Sequence, residues 1–143
     1  MIVKFALDTS CVVPLVSSWH EFHARTVQAY NDLRGQYARL VIPVHALLES
    51  YAVLTRTPPR LAPEDCWRHL AGSFQSAEIA GLSGAAAWSV IQDLRLRDMS
   101  GGIIYDAAIA RAALDSGASI LLTWNLKDFL RVAPPGLEIR QPD

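Results

Sequence analysis

From Ile2 to Leu7 the chain is apolar except for Lys4, and Asp8-Thr9-Ser10 follows without a break. An apolar run with no polar alternation suits a strand covered on both faces, the environment of a parallel sheet. Arg39 to Ile42 and Ser119 to Leu122 are two more such runs, Glu78-Ile79 is a minimal one, and Leu137 to Arg140 alternates like an edge strand. Helical patterns lie between them. A short one starts near Ser10 and is cut by Pro14. Another runs from His20 to Leu33, closed by Gly35, and a third follows Pro43 and carries Leu47, Leu48, Tyr51 and Leu54. Further helices are predicted from Pro63-Glu64-Asp65, over Ser83 to Arg97, over Ile103 to Ser116 before Gly117, and over Leu126 to Leu130. Strands alternating with helices imply an α/β fold around a mostly parallel sheet.

The 143 residues match one domain, expected to span 1–143, and show no internal repeat or linker. A hydrophobic share of 51% excludes a disordered chain, and a formal charge of −1 argues against a broad basic surface for nucleic acid. Cys11 and Cys66 are too few for a disulfide framework or a four-thiolate zinc site. Neither a signal-peptide pattern nor an apolar stretch of roughly 20 residues occurs, so a cytoplasmic protein with no membrane contact is expected.

Ligands of an open parallel sheet collect beyond the carboxyl ends of its strands. Asp8 stands there after the first strand, and Thr123, Asn125 and Asp128 stand there after the Ile120–Leu122 run. Glu49 and Asp106 lie on helices in otherwise apolar surroundings. Each acid alone has an ordinary role open to it. Asp8 caps a helix, Asp106 meets a helix dipole, Glu49 is solvated, and Asp128 pairs with Lys127 or Arg131. Four carboxylates converging on one place would repel one another unless a cation sat among them. An all-oxygen set selects Mg²⁺ or Mn²⁺, and such an ion points to metal-assisted phosphoryl chemistry.

LDTS around Asp8, LLES around Glu49, YDAAIA around Asp106 and LLTWNLKDF from Leu121 to Phe129 resemble the PIN domain, in particular the VapC-type toxin ribonucleases. The resemblance runs from residue 2 to about residue 140. It implies a three-layer sandwich with a central sheet of about five strands flanked by helices, and a metal-dependent endoribonuclease acting on structured RNA such as tRNA or rRNA. Asp8 and Asp106 would hold Mg²⁺ or Mn²⁺, with Glu49 completing the acidic pocket. The fourth position falls to Asp128, supported by Asn125, and Ser10 and Thr123 would orient the carboxylates. A VapB-like antitoxin and a homodimer are the partners implied.

Removing the four pocket acids from the 14 present leaves 10 against 13 basic residues. Arg56, Arg60, Arg95, Arg97, Lys127 and Arg131 are candidates for a rim that meets phosphates. Gly81-Leu82-Ser83-Gly84-Ala85 lacks the last glycine of a nucleophile elbow, so Ser83 is read as a helix cap. His20, His23 and His45 follow no zinc-protease spacing and are read as structural, and the four tryptophans as core or interface packing. A phospho-acceptor receiver would need adjacent acids after the first strand and a Thr and Lys on separate strands, which this chain lacks. A catalytically silent module of the PIN type is the alternative, set second because all four acids are present.

Overall fold

The structure, a computed structural model, describes residues 3–36 and 38–143; Ile2, the expected start of the first run, lies outside them. The elements run β1 Lys4–Leu7, α1 Thr9–Val16, α2 His23–Gly35, β2 Arg39–Pro43, α3 Val44–Arg56, α4 Pro63–Phe74, β3 Glu78–Ala80, α5 Gly84–Leu96, α6 Ile103–Asp115, β4 Ala118–Leu122, α7 Leu126–Val132 and β5 Glu138–Arg140. The sheet has the order β3-β2-β1-β4-β5. The expected mostly parallel sheet of about five strands is present and every neighbouring pair is parallel: even β5 joins β4 in parallel, because α7 carries the chain back across the sheet between them.

Strand β1 is central, and its apolar run has the expected cause. Phe5, Ala6 and Leu7 are fully buried, with Leu40 and Ile42 on one side and Leu121 and Leu122 on the other in the same core. Helices α1 and α6 add Cys11, Val12, Ile109, Ala110 and Ala113. A smaller cluster of Val90, Leu94, Ala107 and Val132 ties α5 and α7 to α6.

Three boundaries differ from the sequence reading. Helix α2 begins at His23, because the His20 ring accepts the Phe22 N–H and holds a turn ahead of it. Pro14 sits inside α1 and the helix runs on to Val16; His23 Nδ1 lies 2.7 Å from the Pro14 carbonyl. Pro43 ends β2, one position ahead of α3. Elsewhere the signals work as expected. Ser83 accepts the Ala86 N–H at the start of α5, and Gly117 adopts φ +96° where α6 turns into β4.

What positions the site is the strand order. From β1 the chain moves outward through β2 to β3, then returns to the other side of β1 for β4. The carboxyl ends of β1 and β4 therefore form a topological switch point, the place where ligands of open α/β sheets collect.

Candidate active site

Asp8 follows β1 directly and is only 4% exposed. Its backbone carbonyl accepts the Cys11 and Val12 N–H groups and so begins α1, but its side chain makes no cap bond. The carboxylate is used elsewhere. Ser10 Oγ donates to Oδ1 at 2.7 Å, and Thr123 Oγ1 donates to Oδ2 at 3.0 Å. Those hydroxyls are themselves fixed by the loop after β4: the Trp124 N–H donates to Ser10 Oγ and the Asn125 N–H to Thr123 Oγ1. The two strand ends thus clamp one carboxylate, which orients it as a ligand would need to be oriented.

Glu49 reaches the pocket from α3, with Thr9 Oγ1 donating to its Oε1 at 2.5 Å. Asp106 arrives on the first turn of α6. Asp128, on α7, accepts from Asn125 Nδ2 at 3.2 Å, and Arg131 stands 4.0 Å away. The four acids named from sequence come from four places in the fold, and their charges act on one another: Asp106 and Glu49 on Asp8, Asp128 and Glu49 on Asp106. Ser10, Thr123 and Asn125 each bond to one of them or to its support.

The electrostatics separate this cluster from ordinary surface acids. Burial raises the Asp8 carboxyl to about 7 against the Ser10 and Thr123 hydrogen bonds, and the charges of Asp106 and Glu49 push the same way as burial. Burial first, then Asp128 and Glu49, raise Asp106 to about 6, while His45 pulls in the opposite direction. A helix dipole acting alone at the first turn of α6 would have lowered Asp106. Among the described residues no Lys or Arg forms an ion pair with Asp8 or Asp106.

Among the described residues, no three His, Cys, Asp or Glu side chains are close enough to form a cage for a metal. That is compatible with the hard cation the donor chemistry selects. Mg²⁺ is commonly held by one or two carboxylates and keeps several waters, and among the described residues Asp8 and Asp106 are oxygen donors with no Lys or Arg ion-pair partner.

Three contributors escape a reading of the sequence alone. By position Thr9 is one of several small residues after β1, yet it holds Glu49. His45, read from sequence as structural, stands beside the acids: its Nε2 lies 4.0 Å from Glu49 Oε2, and its ring stacks flat on the third contributor, Tyr105, with ring centres 4.9 Å apart and planes 1° from parallel. The four-residue spacing of His45 and Glu49 is the available signal. His20 and His23 are structural, as expected, through their contacts with Phe22 and Pro14. Trp124 packs on Phe22 and donates to Thr26, whereas Trp19, Trp67 and Trp88 are exposed.

The PIN-domain family model matches residues 5–134, a span that contains every residue of this site. The chain belongs to the PIN-domain family. Two ribonucleases of Mycobacterium tuberculosis are relatives by sequence. VapC40 is 36% identical over 118 residues, covering 81% of this chain and 83% of its own. VapC27 is 34% identical over 117 residues, 80% of each. Among solved structures, VapBC2 from Rickettsia felis bound to a promoter DNA fragment superposes with a TM-score of 0.74 at 19% identity, over 99% of this chain and 100% of that one. That last likeness is one of fold: the α/β PIN architecture is shared.

Proposed function

We propose that this PIN-domain chain is a divalent-cation-dependent endoribonuclease toxin, held in check by a small VapB-like antitoxin and cutting structured cellular RNA in the cytoplasm. The observation that carries the reading is the convergence of Asp8, Glu49, Asp106 and Asp128 at the switch point, two of them raised toward neutrality with no basic ion-pair partner. The kinship to VapC ribonucleases supports RNA as the substrate, and the fold shared with solved VapBC assemblies supports an antitoxin as the partner.

In this reading Asp8 and Asp106 hold the ion, Mg²⁺ or Mn²⁺. When bound, such an ion would supply Lewis acidity and make a neighbouring water easier to deprotonate. Ser10 and Thr123 keep the Asp8 oxygens aimed into the crevice. Glu49, steadied by Thr9, and Asp128, steadied by Asn125, orient the attacking water and accept its proton. In-line attack forms a new phosphorus–oxygen bond and breaks the bond to the leaving ribose oxygen, which takes a proton from solvent as it departs.

The antitoxin needs a surface of its own. An exposed apolar groove between α3 and α4, lined by Leu47, Leu48, Tyr51, Trp67, Leu70 and Phe74, suits one face of a partner helix. A homodimer has Trp88, Ile91 and Leu96 of α5 available, all exposed.

Cleavage of a total tRNA pool by the purified protein tests the activity, with Mg²⁺ or Mn²⁺, with chelator, and with Asp106→Asn. Discrete fragments that need the cation and vanish in the variant are expected. Equal cleavage in chelator, or by Asp106→Asn, would remove the metal assignment. No cleavage of tRNA, ribosomal or messenger RNA by folded, partner-free protein would favour the silent module.

A further inference from the structure

The carboxylates account for chemistry at phosphorus, but they give RNA no reason to come close. A phosphodiester chain is an anion, and the rim formed by Glu49 and Asp106 repels it until a cation intervenes. The uncharged part of a nucleotide is its base, and proteins hold unpaired bases on exposed aromatic faces. Beside Glu49 and Asp106 stands such a feature. His45 and Tyr105 stack flat across the gap between α3 and α6, the helices that carry Glu49 and Asp106.

Several observations set this pair apart from ordinary aromatic packing. Tyr105 is 55% exposed, so with one face against His45 its remaining face and edge are open to solvent. It immediately precedes Asp106 in the chain, and His45 is one helical turn before Glu49 and within 4.0 Å of it. His45 also acts on Asp106 through its charge, so the pair borders both acids. Each ring stands on a regular helix and braces the other, so little freedom remains to be lost when a third ring is added. Three of the four tryptophans are engaged elsewhere: Trp124 is stacked on Phe22 with Arg25 over its ring, Trp19 packs edge-on to His69, and Trp67 belongs to the α3–α4 groove.

We propose that the His45–Tyr105 stack is a nucleobase platform, on which an unpaired base beside the scissile phosphate lies flat against the open face of Tyr105. This rests on the reading of RNA as substrate. It adds a requirement that the carboxylates do not impose: the cut must fall next to a base free to leave its helix, in a loop, a bulge or a single strand.

The test uses a short single-stranded RNA with one 2-aminopurine, whose fluorescence is quenched on stacking, bound to the full chain carrying Asp106→Asn so that it survives. Quenching on binding is expected. Adding Tyr105→Ala should abolish the quenching and weaken binding by roughly tenfold or more, while Tyr105→Phe and Tyr105→Trp preserve both. His45→Ala, which removes the backing ring, should have a smaller effect of the same sign. In the cleavage-competent chain, Tyr105→Ala should raise KM and leave kcat nearly intact.

Unchanged quenching in Tyr105→Ala would overturn the platform, as would failure of Tyr105→Phe to restore it in a variant with an unaltered melting temperature. A Tyr105→Ala effect confined to kcat would also overturn it. Because the fluorescence needs no turnover, Tyr105-dependent quenching without cleavage of any RNA would defeat the nuclease reading and leave the base-binding role of the stack standing. Cleavage without Tyr105-dependent quenching would do the reverse.

Discussion

Strand β1 carries a charge near each end, and the fold treats the two oppositely. At the start, Lys4 Nζ donates to Glu78 Oε1 at 3.0 Å and to the Ser116 carbonyl at 2.9 Å, so it is paired and still partly wet. At the finish, Asp8 is deeply buried and faces Glu49 and Asp106. One end follows the usual rule that a charge near the core is neutralised, and the other breaks it. The lesson is that the carboxyl-end acids are not part of what holds the sheet together. They cost the metal-free fold stability, and a bound cation would offset that cost.

The largest effect should come from Asp8→Asn. RNA cleavage is expected to fall by at least ~100-fold, because the clamp on the ion is lost while the shape is kept. Stability should move the other way. Raised from 3.8 to about 7, the Asp8 carboxyl favours the fold only while protonated. That stability is fully present below about pH 4 and is lost as pH rises through 7. In metal-free buffer at pH 8 the variant should therefore be more stable than the parent by about 2–4 kcal/mol in urea unfolding, with the gain gone by pH 4. A less stable variant at pH 8 would mean that Asp8 is held as tightly as Lys4.

Thr123→Val should come next. It keeps the buried shape and removes a hydrogen bond that lowers the Asp8 carboxyl, so the pH above which a cation protects the fold should move upward. Cleavage should drop roughly tenfold, in the range seen when partners of a metal ligand are lost. Lys4→Met should do least. Losing a partly exposed ion pair and one carbonyl bond should cost about 1 kcal/mol in the same unfolding assay, with cleavage unchanged. A change in cleavage there would show that the two ends of β1 are coupled.

Much of the molecule is legible from residue order. The strands announce themselves because burial on both faces demands unbroken apolar runs, as at Phe5–Leu7 and Leu121–Leu122. Acids placed just past such runs, or stranded among Ile and Ala as Asp106 is, stand out because an unpaired carboxylate is costly there unless something binds it. The parallel register of β5 is not legible, because three residues of which two are exposed carry no mark of strand direction. Thr9 and Tyr105 escape for a different reason. Their importance lies in what α1 and α6 bring them against, Glu49 in one case and His45 in the other, and those partners are 40 and 60 positions away. Spacing along one helix reports only neighbours on that helix.

The central claim, that these carboxylates await a cation, is met most directly by calorimetric titration of Mn²⁺ into the metal-free protein near pH 6.5, in two buffers of different ionisation enthalpy. The account predicts binding with net proton release, since Asp8 and Asp106 are raised to about 7 and about 6, and loss of that binding in Asp8→Asn. Binding of equal strength in Asp8→Asn, or no binding to the parent chain, would contradict it.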